Sequence, residues 1–430
     1  MGSKNKITPT SLIDKIAFLL YNLAWKVAIP LLKYNNRLAF GFDQRIIKHD
    51  IPQADIWIQA ASAGESHLAS AILKKLKPKY PVKVLLTTNT SQGMEINEKT
   101  ARNIASINRE ISIYPAYFPF DSPTIMKIAV DKISPKLMVL LETEIWPGHL
   151  SALKQHKCKI LVINGRLKQK SLDKYLIWSS FWKRYAPDRI LAMSENDASR
   201  FKMLFGNERI GIMPNIKFDR FESEDLINTN KNPLKNILPE KTSFLVLGSV
   251  RQEEEPFIEK IINHVLSRQP DMIIGLFPRH MHRIKHWQDT LVHMPFPWRL
   301  RSETRDTVSP GTVILWDTFG ELTKAYILAK AVFVGGSLAP LGGQNFLEPL
   351  MYGVVPVIGP SWENFAWVGR EIIHKNLLQI GADWKEVSDI LVKNLISNPS
   401  RESISESALN YVEEHKGGTE QACDLINEFL

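Results

Sequence analysis

Short apolar runs alternate with longer amphipathic stretches along most of this chain, and this order constrains the fold more than any other feature. Each run has the length and β-branched content of a strand, and turn residues and a helical pattern follow it. The runs lie at residues 56–61, 82–88, 137–142, 159–164 and 189–194, and then at 244–249, 272–279, 312–317, 331–337 and 354–360. Repeated β-α order predicts an α/β protein with parallel sheets covered by helices on both faces.

The alternation lapses once, and the lapse predicts a division into two domains. Residues 223–240 are polar and without periodicity, as is typical of an interdomain linker. We therefore expect a Rossmann-like domain at 51–222 and a second one at 241–430, whose last helix could pack back on the first domain. A chain of 430 residues is long enough for both. Ligands of open parallel sheets bind beyond the carboxyl ends of the strands, so the site is expected in a cleft between the domains.

Residues 1–50 contain an apolar segment with a basic flank. The run from Ile16 to Leu32 is nearly continuous, but Lys26 and Pro30 interrupt it. We interpret it as an interfacial membrane helix, with Tyr21 and Trp25 at the level of the lipid headgroups and the flanking cations near anionic lipid. A core helix hairpin and a single true membrane span are the alternatives.

Charge and cysteine content narrow the class of partner. Lys and Arg number 54 against 45 for Asp and Glu, and the net charge of +9 favours phosphates, nucleic acid or anionic lipid. No nucleic-acid recognition motif is present, so nucleic acid is not an expected partner. The two cysteines form no CxxC or Cys/His cluster, which argues against a disulfide scaffold and against a structural zinc site.

Carboxylates follow two of the predicted strands in the first half. Glu65 lies at or near a helix start in the sequence Ala-Ser-Ala-Gly-Glu-Ser, where it could act as a general base or merely cap the helix. Glu142 and Glu144 come directly after another strand, and alternation along an extended chain would point both to one side. They could stabilise a developing cation or separate their pKa values for acid and base work. Alternatively, they could accept hydrogen bonds from loop amides or form an ion pair. Lys217 could bring positive charge to an acidic substrate or be an ordinary surface lysine.

The second half contains turns suited to phosphate. Ser249 follows a strand and precedes the glutamates at 253–255, and backbone amides at such a turn can hold phosphate. Arg279, after another strand, suits bidentate contact with a carboxylate or phosphate. The glycine-rich stretch 335–348 opens a helix and predicts nucleotide binding, although it is neither a Walker A sequence nor GxGxxG. Glu348 could accept from ribose hydroxyls or complement the helix dipole.

In chain order, the motifs resemble those of the 3-deoxy-D-manno-octulosonic acid (Kdo) transferases of lipopolysaccharide assembly. They are ASAGES, ETEIWP, NGRL, SENDASRF, PNIKFD, GSVRQEEE, PRH, DTFGEL, FVGGSLAPLGGQNFLEPL and GPSWENF, and the resemblance extends to about residue 370. It implies a GT-B glycosyltransferase on the cytoplasmic face of the inner membrane, anchored by the amino-terminal helix. It further implies inverting transfer of Kdo from CMP-Kdo to a lipid A precursor (lipid IVA), without a metal or any cofactor beyond the activated sugar.

The resemblance also implies roles for individual residues. Glu65 matches the general base, and Glu142 and Lys217 match residues that stabilise the transition state. The first domain would bind the acceptor and the second the CMP-sugar. The residues that match the donor-binding segments are Pro278, Arg279, Phe319, Gly320, Glu321, Asn345, Phe346, Leu347 and Glu348, with Ser249 and Gly336 as weaker members.

Three departures leave the donor open. Gln344 stands where the family commonly has His, Arg251 where it usually has His, and Phe319 where it usually has Met. A divergent enzyme that uses a related acidic sugar or another lipid acceptor is therefore the alternative function. A catalytically silent membrane-associated binding protein is the alternative from another class. The sequence predicts no particular oligomeric state.

Overall fold

Two parallel seven-stranded sheets account for the apolar runs in the computed structural model. The structure describes residues 12–35, 38–221, 232–239, 242–397 and 399–430. These residues form two units. Unit 1 contains the described residues up to Arg220 together with His415–Leu430, and unit 2 contains the described residues of Phe221–Glu414.

Unit 1 has the strand order β3-β2-β1-β4-β5-β6-β7. Its strands are β1 (Ile56–Gln59), β2 (Val82–Thr88), β3 (Ile111–Tyr117), β4 (Leu137–Leu141), β5 (Lys159–Gly165), β6 (Arg189–Ala192) and β7 (Ile210–Ile212). Its helices are α1 (Leu12–Leu32), α2 (Phe42–Arg45), α3 (Ala63–Lys75), α4 (Ser91–Ile107), α5 (Pro123–Ile133), α6 (Pro147–Gln155), α7 (Gln169–Leu176), α8 (Ser179–Arg184), α9 (Glu195–Phe205) and α17 (Gly418–Phe429), with a 3-10 helix at Ile216–Arg220.

The interior strands of unit 1 are buried on both faces, which is why they read as unbroken apolar runs. In β1, Trp57 packs into the core on one face of the sheet, whereas Ile56 and Ile58 pack into the core on the other. Burial of each such side chain contributes about 1.5–3 kcal/mol. Helix starts are fixed locally: the hydroxyls of Thr90 and Ser194 cap α4 and α9 by accepting backbone N–H groups.

Helix α1 packs on unit 1 through one face. Phe18 stacks on Phe181 with ring centroids 5.6 Å apart, and the Tyr21 hydroxyl donates to Asp121 over 2.9 Å. Trp25 lies 5.9 Å from the ring of Phe120. Tyr21 and Trp25 are thus half-buried against the protein, and their position at the lipid headgroups stays a prediction. The segment 1–50 is likewise no separate domain, and its residues 1–11 lie outside the described part of the chain.

The opposite face of α1 is apolar and exposed. Its side chains are 56–69% exposed at Leu19, Leu20, Leu23, Val27 and Leu31. By length and composition, Lys15–Leu32 is long and apolar enough to cross a membrane. The helix thus combines a face that contacts protein with a face that has no protein cover among the described residues.

Unit 2 has the strand order β10-β11-β9-β8-β12-β13-β14. Its strands are β8 (Phe244–Val250), β9 (Ile273–Pro278), β10 (Trp298–Leu300), β11 (Val313–Leu315), β12 (Ala331–Val334), β13 (Pro356–Ile358) and β14 (Gln379–Ile380). Its helices are α10 (Glu255–Arg268), α11 (Ile284–Val292), α12 (Leu322–Leu328), α13 (Leu347–Met351), α14 (Glu371–His374), α15 (Trp384–Ile396) and α16 (Arg401–Glu414), with 3-10 helices at Pro233–Asn236, Gln252–Glu254, Met281–Arg283 and Glu363–Val368.

The domain boundaries differ from the predicted ones at two places. Residues 232–239, expected in the linker, belong to unit 2, where Leu234 is buried and Asn232 donates to the carbonyl of Lys324 over 2.7 Å. The rest of 223–240 lies outside the described residues. The second domain does not continue to residue 430, because α17 packs on α3 and β5 and places Ile426 in a core of unit 1.

Candidate functional site

The predicted carboxylates of unit 1 lie at the point where the strand order reverses. Strands β1 and β4 are neighbours in the sheet, and the connections run outward from them in opposite directions. Glu65 lies in the first turn of α3, just after β1, and Glu142 and Glu144 directly follow β4. Open parallel sheets bind ligands at such a switch point, so three carboxylates share the edge at which a ligand is expected.

Glu65 both caps its helix and has the properties of a base. Its carboxylate accepts the backbone N–H of Ala61 over 2.7 Å and the Ser62 hydroxyl over 3.0 Å. Burial, together with the nearby carboxylates of Glu144 and Glu142, raises the pKa of Glu65 to about 8. Its hydrogen bonds therefore fix the carboxylate in place, while its surroundings make it a proton acceptor near neutral pH.

Glu142 and Lys217 form an ion pair. Lys217 Nζ donates to Glu142 Oε1 over 2.9 Å, and both side chains are largely shielded, at 24% and 20% exposed. Lys217 is therefore not an ordinary surface lysine. Glu142 has a φ of 56°, so the expectation of an extended chain through Glu142 and Glu144 is wrong. The left-handed residue ends the strand and turns the chain at the switch point.

Two buried asparagines hold the segment that carries Lys217. Asn164 Oδ1 accepts the N–H of Ile216 over 3.1 Å, and Asn215 Oδ1 accepts the N–H of Lys217 over 3.0 Å. Asn164, the last residue but one of β5, has a φ of 56°, the same conformation that Glu142 adopts after β4. Asn164 lies in the NGRL motif and Asn215 in the PNIKFD motif, but neither asparagine was assigned a role from the sequence.

Glu144 completes the acidic cluster. It accepts the indole N–H of Trp146 over 3.1 Å and lies 3.5 Å from the amide nitrogen of Gln59, a buried residue of β1. Burial, followed by the charge of Glu142, raises the pKa of Glu144. Gln59 could not be identified from the sequence, because one polar residue at the end of an apolar run looks like a strand terminus.

Unit 2 brings five of the predicted donor residues around one cavity. Its volume is about 180 Å³, and its walls include Ser249, Pro278, Arg279, Phe319 and Gly320. These residues lie at or just after the carboxyl ends of β8, β9 and β11. Pockets for whole small molecules are typically about 300–1,000 Å³, so this cavity can hold one part of a larger ligand.

The loop after β11 forms one wall of the cavity, and the carboxylate of Glu321 holds this loop. Glu321 accepts the Trp316 indole N–H over 2.9 Å and the Thr318 hydroxyl over 3.1 Å, and its other partner is Arg301 at 2.9 Å. The carboxylate of Glu321 therefore holds the loop together, and its contact with the donor stays a prediction. Phe319 on the same loop is 82% exposed at the rim of the cavity.

The segment 345–348 mixes exposed and buried side chains. Phe346 and Leu347 are fully buried, and Phe346 packs 5.3 Å from the ring of Phe365, so these two side chains are core residues and cannot contact a donor. Asn345 is exposed. Glu348 accepts a hydrogen bond from the Thr323 hydroxyl and is only partly buried.

Gly336 does not face the cavity as predicted. Its φ is 73°, and its N–H donates to the buried carboxylate of Glu254. The glycine amide is therefore already occupied and is not available to a ligand phosphate. Within the described ranges, no group of three or more His, Cys, Asp or Glu residues could hold a metal ion.

The fold has a counterpart among solved structures. The structure is similar to that of a glycosyltransferase from Rickettsia africae, with a TM-score of 0.56 over 88% of this chain and 99% of that chain, at 9% sequence identity. Two parallel α/β sheets with this likeness make the fold that of a GT-B glycosyltransferase.

Sequence comparison identifies the relatives. Residues 34–220 match the family model described as 3-deoxy-D-manno-octulosonic-acid transferase (kdotransferase). The chain is 27% identical over 385 residues to the 3-deoxy-D-manno-octulosonic acid transferase of Haemophilus influenzae, with 88% of each chain covered. It is 29% identical over 360 residues to the enzyme of the same name from Chlamydophila psittaci, covering 81% of this chain and 78% of that one. The resemblance read from the motifs is confirmed: this chain is a sequence relative of the Kdo transferases.

Proposed function

We propose that this protein is an inverting glycosyltransferase that moves Kdo from CMP-Kdo to a lipid A precursor, lipid IVA. The names of its sequence relatives support Kdo as the transferred sugar. The observation that carries the proposal is the arrangement of Glu65, whose pKa is raised to about 8, at the same sheet edge as the Glu142–Lys217 ion pair. A fixed base beside a shielded charge pair is what direct displacement at a sugar carbon requires.

In the proposed reaction, an acceptor hydroxyl of the lipid attacks the anomeric carbon of Kdo. Glu65 takes the proton of that hydroxyl while the new carbon–oxygen bond forms. The bond between the anomeric carbon and the phosphate oxygen breaks, and CMP leaves with the bonding electrons. Attack opposite the leaving group inverts the configuration. Glu142 offsets the positive charge that develops on the sugar, and Lys217 offsets the negative charge on the departing phosphate.

Unit 2 binds the CMP part of the donor in this proposal. Arg279 provides a charge-assisted contact to the phosphate or to the sugar carboxylate. Phe319 offers an exposed ring, and Asn345 and Glu348 offer polar groups near the start of α13. Glu321 acts indirectly by holding the loop of Phe319. The reaction as proposed uses no cofactor other than the activated sugar.

Helix α1 is proposed to hold unit 1 on the cytoplasmic face of the inner membrane. Its contacts with Asp121 and Phe181 occupy one face, so the helix lies on the bilayer instead of crossing it. The five exposed apolar side chains on the other face would enter the lipid, and burial contributes about 1.5–3 kcal/mol for each. Exposed lysines at 15, 26 and 33 would contact anionic headgroups.

The test is transfer by detergent-solubilised protein, given CMP-Kdo and a tetraacylated lipid A precursor and followed by mass spectrometry of the lipid. We expect a mass gain of one or more Kdo units. Glu65→Gln should abolish the gain, since the amide keeps much of the cap but cannot accept the proton. Glu98→Gln, at an exposed glutamate of α4, is the matched control and should keep activity.

The other outcomes separate the alternatives. No mass gain, with CMP still bound, would favour another acidic sugar or another lipid acceptor and would direct attention to Gln344 and Arg251. Full biological function in Glu65→Gln would favour a membrane-associated binding protein.

A further inference from the structure

The carboxylate of Glu254 occupies an anion-binding turn that the chain itself provides. Glu254 ends the 3-10 helix that precedes α10, and its side chain is completely buried. It accepts the N–H groups of Gly336 over 2.5 Å, Ser337 over 2.8 Å and Leu338 over 2.8 Å. It also accepts the N–H of Arg251 over 3.2 Å.

The bond to Arg251 is what a helix cap provides, but the other three bonds are not. They come from a loop more than 80 residues further along the chain. Three successive N–H groups, with Gly336 in the left-handed region, form a concave site of the kind that binds phosphate in other proteins. Here a carboxylate of the protein itself fills that site, so this turn cannot bind a donor phosphate.

Further hydrogen bonds connect this turn to the segment that leads into α13. The carbonyl of Gly336 accepts the N–H of Gly343 over 2.6 Å, and the carbonyl of Ser337 accepts the N–H of Ser361 over 3.0 Å. The Ser361 hydroxyl in turn accepts the N–H of Gly342 over 2.9 Å. The position of residues 342–343, which precede Gln344 and Asn345, therefore depends on the turn that Glu254 holds.

The same carboxylate is connected to residues that line the cavity of unit 2. Its partner Arg251 follows Val250, whose carbonyl accepts the N–H of Arg279 over 2.7 Å. The backbone of Ser249 lies against Gly335, where an added Cβ would come within 2.6 Å of the Ser249 carbonyl oxygen. Segments that follow β8, β9 and β12 thus meet around one buried carboxylate.

We propose that Glu254 is a positioning residue for the donor site: its carboxylate fixes the turn at 336–338 and, through it, the approach of residues 342–348. The link to donor binding rests on the proposed function, whereas the effect on the loop does not. The flanking glutamates have other roles. Glu253 is 50% exposed, and Glu255 pairs with Arg283.

The experiment measures two properties of the full-length protein with Glu254→Gln, Glu254→Asp and the control Glu253→Gln. Hydrogen–deuterium exchange reports the loop, and calorimetric titration with CMP reports donor affinity. An amide side chain offers a single acceptor oxygen and no charge to four N–H donors. For Glu254→Gln we therefore expect faster exchange confined to 336–348, and CMP binding weaker by about tenfold or more. Glu254→Asp should recover part of both, and Glu253→Gln should match the wild type.

Unchanged exchange at 336–348 in folded Glu254→Gln would overturn the proposal. So would faster exchange spread over the whole of unit 2, since that is the result of a general loss of stability. If Glu254→Gln does not fold, Gly336→Ala is the second test, because an alanine at this φ disturbs the turn while leaving the carboxylate of Glu254 in place. Unchanged exchange at 336–348 in Gly336→Ala would refute the proposal. Wild-type protein that fails to bind CMP would count against the proposed function, and the exchange result would still decide the role of Glu254.

Discussion

The raised pKa of Glu65 predicts an unusual pH dependence that a neighbouring residue controls. A base with a pKa of about 8 is only about one-tenth ionised at pH 7 and about half ionised at pH 8. The value of kcat/KM should therefore rise about fivefold between pH 7 and pH 8 and level off above pH 9. An ordinary glutamate would give a midpoint near 4.5 and no change in this range.

Glu144→Gln should move that midpoint to lower pH. The change removes the larger of the two like charges that act on Glu65 but leaves burial, the main cause, in place. We expect the midpoint to fall by about one unit, from about 8 to about 7. At pH 7 the ionised fraction of Glu65 would rise from about one-tenth to about one-half. The rate of the variant, divided by that of the wild type, should therefore increase as the pH falls, whatever the maximal rate of the variant.

The assay is the initial rate of Kdo transfer from about pH 6 to pH 9, with carbon-13 NMR titration of the glutamate carboxyl groups as a measurement that needs no substrate. Glu98→Gln, far along α4, should leave the midpoint unchanged. A wild-type midpoint near 4.5, or a midpoint that Glu144→Gln does not move, would refute the reasoning.

Three further predictions concern other contacts. Lys217→Met should lower kcat by about 10²–10³ with CMP affinity unchanged, because the departing phosphate loses the cation proposed to offset its charge; a full rate would count against an electrostatic role. Arg279→Ala should weaken CMP binding by about 1.5–3 kcal/mol, measured by calorimetry. The exposed Arg305→Ala is the control, and equal CMP affinities of the two variants would contradict the contact. Deleting residues 1–33 should lower the melting temperature of unit 1, because α1 covers aromatic side chains of that unit. The deletion should leave the CMP affinity unchanged, and weaker CMP binding would show that the helix is needed for the donor site.

The buried strands could be predicted from the sequence because parallel strands covered on both faces leave an unbroken apolar run. Strand β3 could not, since it lies at the sheet edge and carries Pro115, which normally argues against a strand. Strands β10 and β14 lie at the edges of the other sheet and have only three and two residues. Edge strands bury too little side-chain surface to leave a clear pattern.

In the candidate site, too, some positions could be predicted from the nearby sequence, whereas others depend on residues far away in the chain. The positions of Glu65 and Glu142 follow from the rule that strand ends meet at one sheet edge. The partner of Glu254 lies more than 80 residues away in the chain, and no local pattern encodes it. The motif resemblance also could not distinguish residues that contact a ligand from residues that hold those residues in place. Phe346 was therefore predicted as a donor contact although it belongs to the core.

The return of the chain to unit 1 through α17 makes unit 2 an insertion between Arg220 and His415. A truncation after residue 220 would strip one core of Ile426 and its neighbours, so unit 1 should fold alone only when a short synthetic bridge rejoins its two pieces. Unit 2, by contrast, is one uninterrupted stretch of chain and suits direct excision. Recombination among relatives would therefore exchange unit 2 most readily as an internal segment, with both ends of the recipient polypeptide retained.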